Sequence, residues 1–493
     1  MQTLLKFFVC GILSAFILPP FFIFPLGFIA FPFFYILVTN KDFLNKTKFF
    51  QFLCGFFYGL GLNIIAFIWI KEPFLIYKET TEFFYISYLL VFYCSIYYGF
   101  CTFVLGFIKN YFAKLLLIPA LFVVCEFLIG NIGYGFPWLT FSLVYSSNIF
   151  IINFVYFLGT YGLSFFSILI FLLPINIFIV LYKKNNNLLK LYLSIILTSV
   201  FVFSLLVIIR IYDFKLTDKN SLNITLVQLN LSLLNKNHNF SQQNTLKNIE
   251  NIIKKSKSEL IIFSENDFPY MVKNLNQLEF IQDIIHKNQT VLIGGTRKKD
   301  LKYFNTLFFV QKNKIQEYDK IKLVPFGEFL PLRKYLTFFD IIVGQNDYSI
   351  GKNIINIINL NGLRIIPIIC YEIIFISELI SNDNFDNKLI VNVTNDSWFG
   401  KLSGPYQHFY IARTKSVELN KKLVRVSNNG VSAITNEIGS IISYIPLNKN
   451  KTLTTKINNP VSLYNLTYYH NLIFILLIFI ILFALIVNFK NNE

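Results

Sequence analysis

Cys370 stands where an apolar run gives way to polar residues, in Pro367-Ile-Ile-Cys-Tyr-Glu372. The run from Leu363 through Cys370 is broken only by Arg364, which reads as a buried strand ending at an exposed elbow. A thiol at such an elbow can be offered to a substrate, and a helix begun by the next segment, 373–379, would favour the thiolate. The competing reading is a small core hydrophobe. Position decides between them. Cys10, Cys54, Cys94, Cys101 and Cys125 lie in long apolar segments, while Cys370 alone lies in the polar part and has no disulfide partner there.

Two residues at or near strand ends can serve that thiol. Glu265 closes Leu260-Ile-Ile-Phe-Ser-Glu, and Lys320 sits in Tyr318-Asp-Lys-Ile-Lys-Leu-Val-Pro-Phe-Gly-Glu328. A carboxylate can take the thiol proton, and an ammonium can stabilise the oxyanion formed when the thiolate attacks a carbonyl. Each alone is more often a solvated side chain. Histidine is the commoner partner for a catalytic cysteine. Of His238, His286, His408 and His470, spacing leaves a pair of Cys370 with His408 open as the second choice.

The elements that must hold these residues are of two kinds. With 55% hydrophobic and 18% aromatic residues in 493, the chain is too apolar to be wholly water-soluble. Residues 1–210 are nearly unbroken apolar runs, 211–470 have ordinary globular texture, and 472–487 are apolar again. About twenty apolar residues span a bilayer. On that measure the spans are 4–18, 21–38, 49–70, 83–108, 115–129, 150–181 and 191–209, with an eighth at 472–487. The first has no small-residue cleavage site after it and reads as an uncleaved helix.

Loop charges orient the bundle. With the N-terminus inside, the inner loops hold Lys41, Lys46 and Lys48, then Lys109 and Lys114, then Lys183, Lys184 and Lys190. The outer loops hold Lys71 and Lys78 against Glu72, Glu79 and Glu82, and then the uncharged 131–147. Everything after the seventh helix is therefore expected outside. Apart from Lys6, Glu126 is the one charge inside the expected spans, which argues against an ion-coupled transporter. The net charge of +17 fits an anionic lipid surface or nucleic acid, but a Lys- and Asn-rich coding bias accounts for it equally. Within 211–465 strands are expected at 224–229, 260–263, 291–293, 303–311, 363–369, 389–393 and 423–426, with helices at 245–255, 278–286 and 407–419 and a hairpin at 432–442.

The order Glu265, Lys320, Cys370 resembles the catalytic triad of the nitrilase superfamily of carbon-nitrogen hydrolases. The chain as a whole resembles the apolipoprotein N-acyltransferase family. The matching stretches are Gly135-Phe-Pro-Trp138, Tyr161-Gly-Leu-Ser164, Val227-Gln-Leu-Asn230, 320–328, Cys370-Tyr-Glu372, Asn395-Asp-Ser-Trp-Phe-Gly400, Gly404-Pro-Tyr-Gln-His408 and Ser427-Asn-Asn-Gly430. That resemblance implies a polytopic bundle of eight helices with an inserted αββα sandwich: a bundle over 1–210, a catalytic domain over 211–465, and a last helix with a short tail over 466–493. It makes Glu265 the general base, Lys320 the oxyanion stabiliser and Cys370 the nucleophile. Glu328 is implied as a second essential carboxylate, and Tyr371 and Glu372 match positions flanking the nucleophile.

The same resemblance implies N-acylation of a lipoprotein's N-terminal diacylglyceryl-cysteine. The donor would be a phospholipid, typically phosphatidylethanolamine, with no organic cofactor and no metal. It further implies a bacterial inner membrane with the catalytic domain on the periplasmic side. The chain is expected to act as a monomer without nucleic acid. Departures are Asn237 and Ile129, where family members often carry Trp and Arg. A membrane-anchored amidase that resolves its thioester with water, and a transporter or scaffold with a degenerate outer domain, remain as alternatives. The segment 331–344, with Arg333, Lys334, Phe338 and Phe339, reads either as a buried helix or as a lid dipping into lipid.

Overall fold

The computed structural model describes residues 1–182, 187–215, 221–233, 239–336, 339–340, 344, 346–352, 358–360, 363–379, 388–458, 470 and 472–490. The chain divides into two units. One comprises Met1–Lys71, Tyr85–Phe214 and Leu466–Glu493, the other Glu72–Phe84 and Lys215–Asn465.

The apolar runs of the first unit fold as helices. Among the described residues, Lys48–Ala66, Phe84–Leu105, Tyr111–Asn131, Ile151–Phe171 and Leu189–Phe214 are long and apolar enough to cross a membrane, and Gln2–Ala15, Phe24–Thr39, Leu173–Tyr182 and Leu472–Asn488 are shorter apolar helices. Two of their starts are set by side-chain caps, Thr47 accepting from the Phe50 N–H and Asn110 from that of Ala113. The expected span 150–181 is broken into Phe154–Phe171 and Leu173–Tyr182. Pro174 has no N–H with which to carry the first helix onward. Close helix packing depends on glycine: a Cβ on Gly11 would lie 2.0 Å from the Tyr58 carbonyl oxygen, and one on Gly55 2.0 Å from that of Tyr98.

Lys114, just outside the expected span, is fully buried, with its ammonium on the Val38 carbonyl. Glu126 is buried too, and its Oε1 accepts from the Phe141 N–H at 2.7 Å. Trp138 is buried and stacks on Phe136, with Trp69 at 4.8 Å.

Among the described residues, the second unit carries twelve strands in two sheets of six. They are β1 (Ser221–Gln228), β2 (Leu260–Ile262), β3 (Thr290–Lys299), β4 (Lys302–Gln311), β5 (Lys314–Asp319), β6 (Ile358–Leu360), β7 (Leu363–Ile369), β8 (Lys388–Thr394), β9 (Lys422–Ser427), β10 (Ser432–Thr435), β11 (Ile441–Ile445) and β12 (Lys451–Asn458). One sheet runs β12-β1-β2-β3-β4-β5 and the other β11-β10-β9-β8-β7-β6. The strands at the centre of each, β1-β2-β3 and β7-β8-β9, are parallel. Their Val, Ile and Leu runs are buried on both faces, as parallel strands require.

Helices Asn239–Lys255 and Glu279–Ile284 cover the outer face of the first sheet through Ile249, Ile253 and Ile281. Helix Gly404–Glu418 packs on β9 and, through Phe409, against Val431 and Ala433. The inner faces meet where β1 touches β9 and β4 touches β7. The result is a four-layer α/β sandwich with the C-terminal ends of β2 and β7 at one edge.

Candidate active site

Cys370 comes directly after β7 and has φ +51°, a left-handed backbone that costs a side-chain-bearing residue about 1–2 kcal/mol. Its carbonyl oxygen lies 3.4 Å from Asn392 Nδ2 and 3.3 Å from His408 Nε2. Two expectations fail here. The elbow is buried, with Cys370 only 6% exposed. The chain then continues as the 3-10 turn Cys370–Phe375, so no α-helix N-terminus begins directly behind the thiol, and the α-helix starts only at Ile376. Burial dominates the thiol and pushes it well above the ordinary thiol range. The Glu265 carboxylate adds to that rise and the Lys320 ammonium opposes it.

Glu265 sits in the turn after β2, where Ser264 N–H donates to Asp267 Oδ2 at 2.7 Å and Asn266 takes φ +57°. That turn lies against β3 at Gly294. A Cβ there would be 2.7 Å from the Ser264 carbonyl oxygen and 2.8 Å from Glu265 Cα, so no larger residue fits. Lys320 comes after β5, its backbone N–H donating to the Asn305 carbonyl at 2.8 Å. Its ammonium is 2.9 Å from Glu328 Oε1 and 3.6 Å from Glu265 Oε1. Glu328 is aimed inward by the turn Val324-Pro-Phe-Gly-Glu328, in which Val324 N–H donates back to Glu328 Oε2 at 2.8 Å. Burial opposes the Lys320 charge, but Glu328 and Glu265 outweigh it and hold the ammonium well above the ordinary lysine range.

Sequence reasoning missed the residue that joins the two carboxylates. Asn305 Nδ2 donates to Glu265 Oε1 at 2.7 Å and to Glu328 Oε1 at 2.8 Å. It is buried on β4 between Phe304 and Thr306, and an amide in the interior of the run 303–311 was the available signal. The other oxygen of Glu265 accepts from the Asn395 N–H at 2.8 Å. Glu265 is therefore held in a fixed direction by three contacts, to Asn305, Asn395 and Lys320.

Glu372 ties the Lys320 loop to the Cys370 elbow. Its carboxyl accepts from Tyr318 Oη at 3.0 Å, from the N–H of Ile321 at 2.6 Å and Lys322 at 3.2 Å, and from that of Ile369 at 2.8 Å. Tyr371 is buried and packs its ring edge-on against Phe375. Burial raises Glu372 to about 7, although the N–H donors oppose the rise. The fold therefore favours the protonated acid. Its stabilisation is complete below the ordinary carboxylate value of 4.5 and is lost as pH rises through about 7. Glu372→Gln does not titrate, so the gap in unfolding free energy between wild type and variant is expected to shrink from pH 5 to pH 8, by on the order of 2 kcal/mol. A constant gap would mean that Glu372 is ionised throughout.

His408 does not stand alone behind Cys370. Its Nδ1 is 2.8 Å from Asp396 Oδ1 and 3.0 Å from an Arg425 amino nitrogen, and Arg425 also binds Asp396 Oδ2 at 2.8 Å. All three side chains are fully buried. His286 and His470 are elsewhere, the latter 3.0 Å from the Tyr156 carbonyl, and His238 and Asn237 lie outside the described residues. Ile129 is buried in the helical unit. Among the described residues no group of His, Cys, Asp and Glu is placed to hold a metal ion.

In 331–344, Arg333 does not reach outward as lipid contact would require. It pairs with Asp340 and Asp347 and donates to the Gly344 carbonyl. Phe339 packs on Phe326 at 5.7 Å, Lys334 is exposed, and Phe338 and 341–343 lie outside the described residues.

The geometry amounts to a thiol at a strained strand end, facing the charges of an ammonium shared by two carboxylates. Comparison with known proteins agrees with the two-part chain. Residues 10–173 match the family model for the apolipoprotein N-acyltransferase N-terminal domain, and residues 223–463 match that for carbon-nitrogen hydrolase. The chain is 30% identical over 472 residues to the apolipoprotein N-acyltransferase of Rickettsia typhi, covering 91% of this chain and 90% of that one. It is 31% identical over 468 residues to that of Rickettsia prowazekii (89% and 88%) and 27% identical over 476 residues to that of Haemophilus influenzae (92% and 89%).

Proposed function

This chain belongs to the apolipoprotein N-acyltransferase family, and from that premise we propose that it moves an acyl chain from a phospholipid to a lipoprotein amine through a thioester on Cys370. The observation that carries the mechanism is the Lys320 ammonium held 2.9 Å from Glu328 and 3.6 Å from Glu265, with its charge and that of Glu265 both acting on the Cys370 thiol.

In the first half, Glu265 takes the thiol proton as Sγ attacks the ester carbonyl of the phospholipid. The Lys320 ammonium stabilises the oxyanion. Collapse breaks the ester C–O bond, and the leaving glycerol oxygen takes the proton from Glu265. In the second half, the α-amine of an N-terminal diacylglyceryl-cysteine attacks the thioester. A C–N bond forms, the C–S bond breaks, and Glu265 passes the amine's proton to the departing sulfur. Glu328 and Asn305 hold Lys320 and Glu265 in register throughout, and Glu372 holds the Lys320 loop to the elbow. Phosphatidylethanolamine is the proposed donor.

Purified protein given phosphatidylethanolamine with a labelled acyl chain should carry label on Cys370, and a diacylated lipopeptide should remove it into amide. Label released as free fatty acid before lipopeptide is added would make the protein a hydrolase. No label on Cys370 would remove the thioester.

The proposed setting is a bacterial inner membrane with the α/β unit on the periplasmic side, supported by the lysine-rich loops at 41–48 and 109–114 against the acidic 72–82. A reporter that fluoresces only in the cytoplasm, fused after Lys215, is expected to stay dark. Fluorescence there would reverse the topology and separate the enzyme from its acceptor.

A further inference from the structure

The network of Asp396, His408 and Arg425 is unused by the mechanism above, yet it ends on the main chain of the proposed nucleophile. His408 Nε2 is 3.3 Å from the Cys370 carbonyl oxygen, so Nε2 must carry a proton to bond there. Its Nδ1 is 3.0 Å from Arg425, which can only donate, and 2.8 Å from Asp396 Oδ1, which can only accept when ionised. No single protonation state satisfies all three contacts. The Nδ1–H tautomer satisfies Asp396 alone. The imidazolium satisfies Asp396 and Cys370, but sets two cations 3.0 Å apart. The neutral Nε2–H tautomer satisfies Arg425 and Cys370.

Asp396 has other donors in any case. Arg425, Thr394 Oγ1 at 3.1 Å and Ser427 Oγ at 3.1 Å all bond to it. Burial works against its charge, but Arg425 holds it below the ordinary carboxylate range, and burial with Arg425 lowers His408. The Asp396–Arg425 pair is already neutral as a unit, so the ring gains nothing by adding a charge.

Resting on the reading of Cys370 as nucleophile, we infer that His408 is a positioning residue for acyl transfer: as the neutral Nε2–H tautomer, oriented by Arg425, it locks the peptide between Cys370 and Tyr371. In a trans peptide the carbonyl and the next N–H point opposite ways. A hold on the Cys370 carbonyl therefore also directs the Tyr371 N–H. The lock matters because Cys370 has φ +51°, and rotation of this peptide is the obvious way to relieve a left-handed residue. Asn392 Nδ2, at 3.4 Å from the same oxygen, is the second hold.

The test uses full-length protein and phosphatidylethanolamine with a labelled acyl chain, reading the single-turnover rate of label onto Cys370. Glutamine can place an N–H where imidazole has Nε2, so His408→Gln is expected to acylate within about threefold of wild type. Asparagine is one carbon shorter and ends near Nδ1, so His408→Asn is expected to fall by about 10- to 100-fold, the effect of one lost buried hydrogen bond. Half-saturation for the phospholipid is expected to be unchanged in both. Equal rates for the two variants at matched unfolding temperatures would overturn the inference.

Should both variants unfold, the wild type still decides. In protein labelled with 15N-histidine, the buried, slowly exchanging ring is expected to be protonated at Nε2 and bare at Nδ1. A ring with Nδ1–H and bare Nε2, or one protonated at both, would overturn it. A wild type that never takes label on Cys370 would instead defeat the nucleophile reading.

Discussion

Cys370→Ala is expected to abolish acyl transfer, by at least about four orders of magnitude, while the protein stays folded and membrane-inserted. Alanine keeps the Cβ that the left-handed backbone already tolerates and removes one sulfur from a buried site. The structural cost of that is on the order of 1 kcal/mol, small beside the loss of the only atom that can form the thioester. Cys370→Ser is expected to be nearly as inactive. Burial and the neighbouring Glu265 charge already push the thiol up, and a hydroxyl starts several pH units higher. Lipopeptide acylation measured beside the unfolding temperature checks both. Turnover within a hundredfold of wild type in the alanine variant would sink the nucleophile assignment.

Lys320→Met is expected to cost about a thousandfold in activity and to destabilise the α/β unit by about 3–5 kcal/mol. Lys320 is 1% exposed and is the cation between Glu265 and Glu328. Without it, Asn305 alone bridges buried Glu265 and half-buried Glu328. Two like charges then meet at one amide, so the register of the base is lost as well as the oxyanion partner. Lys320→Arg keeps the charge and should recover stability more than rate. A planar fork cannot place one ammonium at 2.9 Å from Glu328 while also serving the oxyanion. The contrast is read by pairing single-turnover rates with melting temperatures. An arginine variant that is near wild type in both would reduce Lys320 to a diffuse positive field.

The residues that declared themselves in the sequence are those whose chemistry clashes with their surroundings. Cys370 ends β7, Glu265 comes after β2 and Lys320 after β5, each a functional group at the end of a run that otherwise packs. The central strands were legible for the same reason, since parallel strands buried on both faces read as unbroken apolar runs. The edges were not. β5, Lys314-Ile-Gln-Glu-Tyr-Asp319, is mostly half-buried and β12, Lys451-Thr-Leu-Thr-Thr-Lys-Ile-Asn458, is largely exposed, and little in their composition separates them from loops. Burial of the elbow was also hidden, because the segments that cover it are distant in the chain. Asn305 and Arg425 escaped because their partners are set by tertiary contact, and His408, weighed as a side-chain partner of Cys370, instead reaches its main-chain carbonyl. A polar side chain in an apolar strand announces that it has a partner without saying which.

Glu72–Phe84 belongs to the α/β unit although the chain on either side of it is membrane helix. Glu72 packs on Gly400, where a Cβ would lie 2.6 Å from its Cγ, and Gly400 ends the stretch that begins at Asn395, the donor to Glu265. For anyone wishing to work with a soluble piece, the catalytic domain is therefore not a contiguous excerpt of the gene. A fragment cut at 215–465 drops thirteen residues of its own surface. It bares the back of the loop whose Asn395 N–H directs Glu265. Compounds selected against such a fragment would be ranked on a face that the whole enzyme does not present.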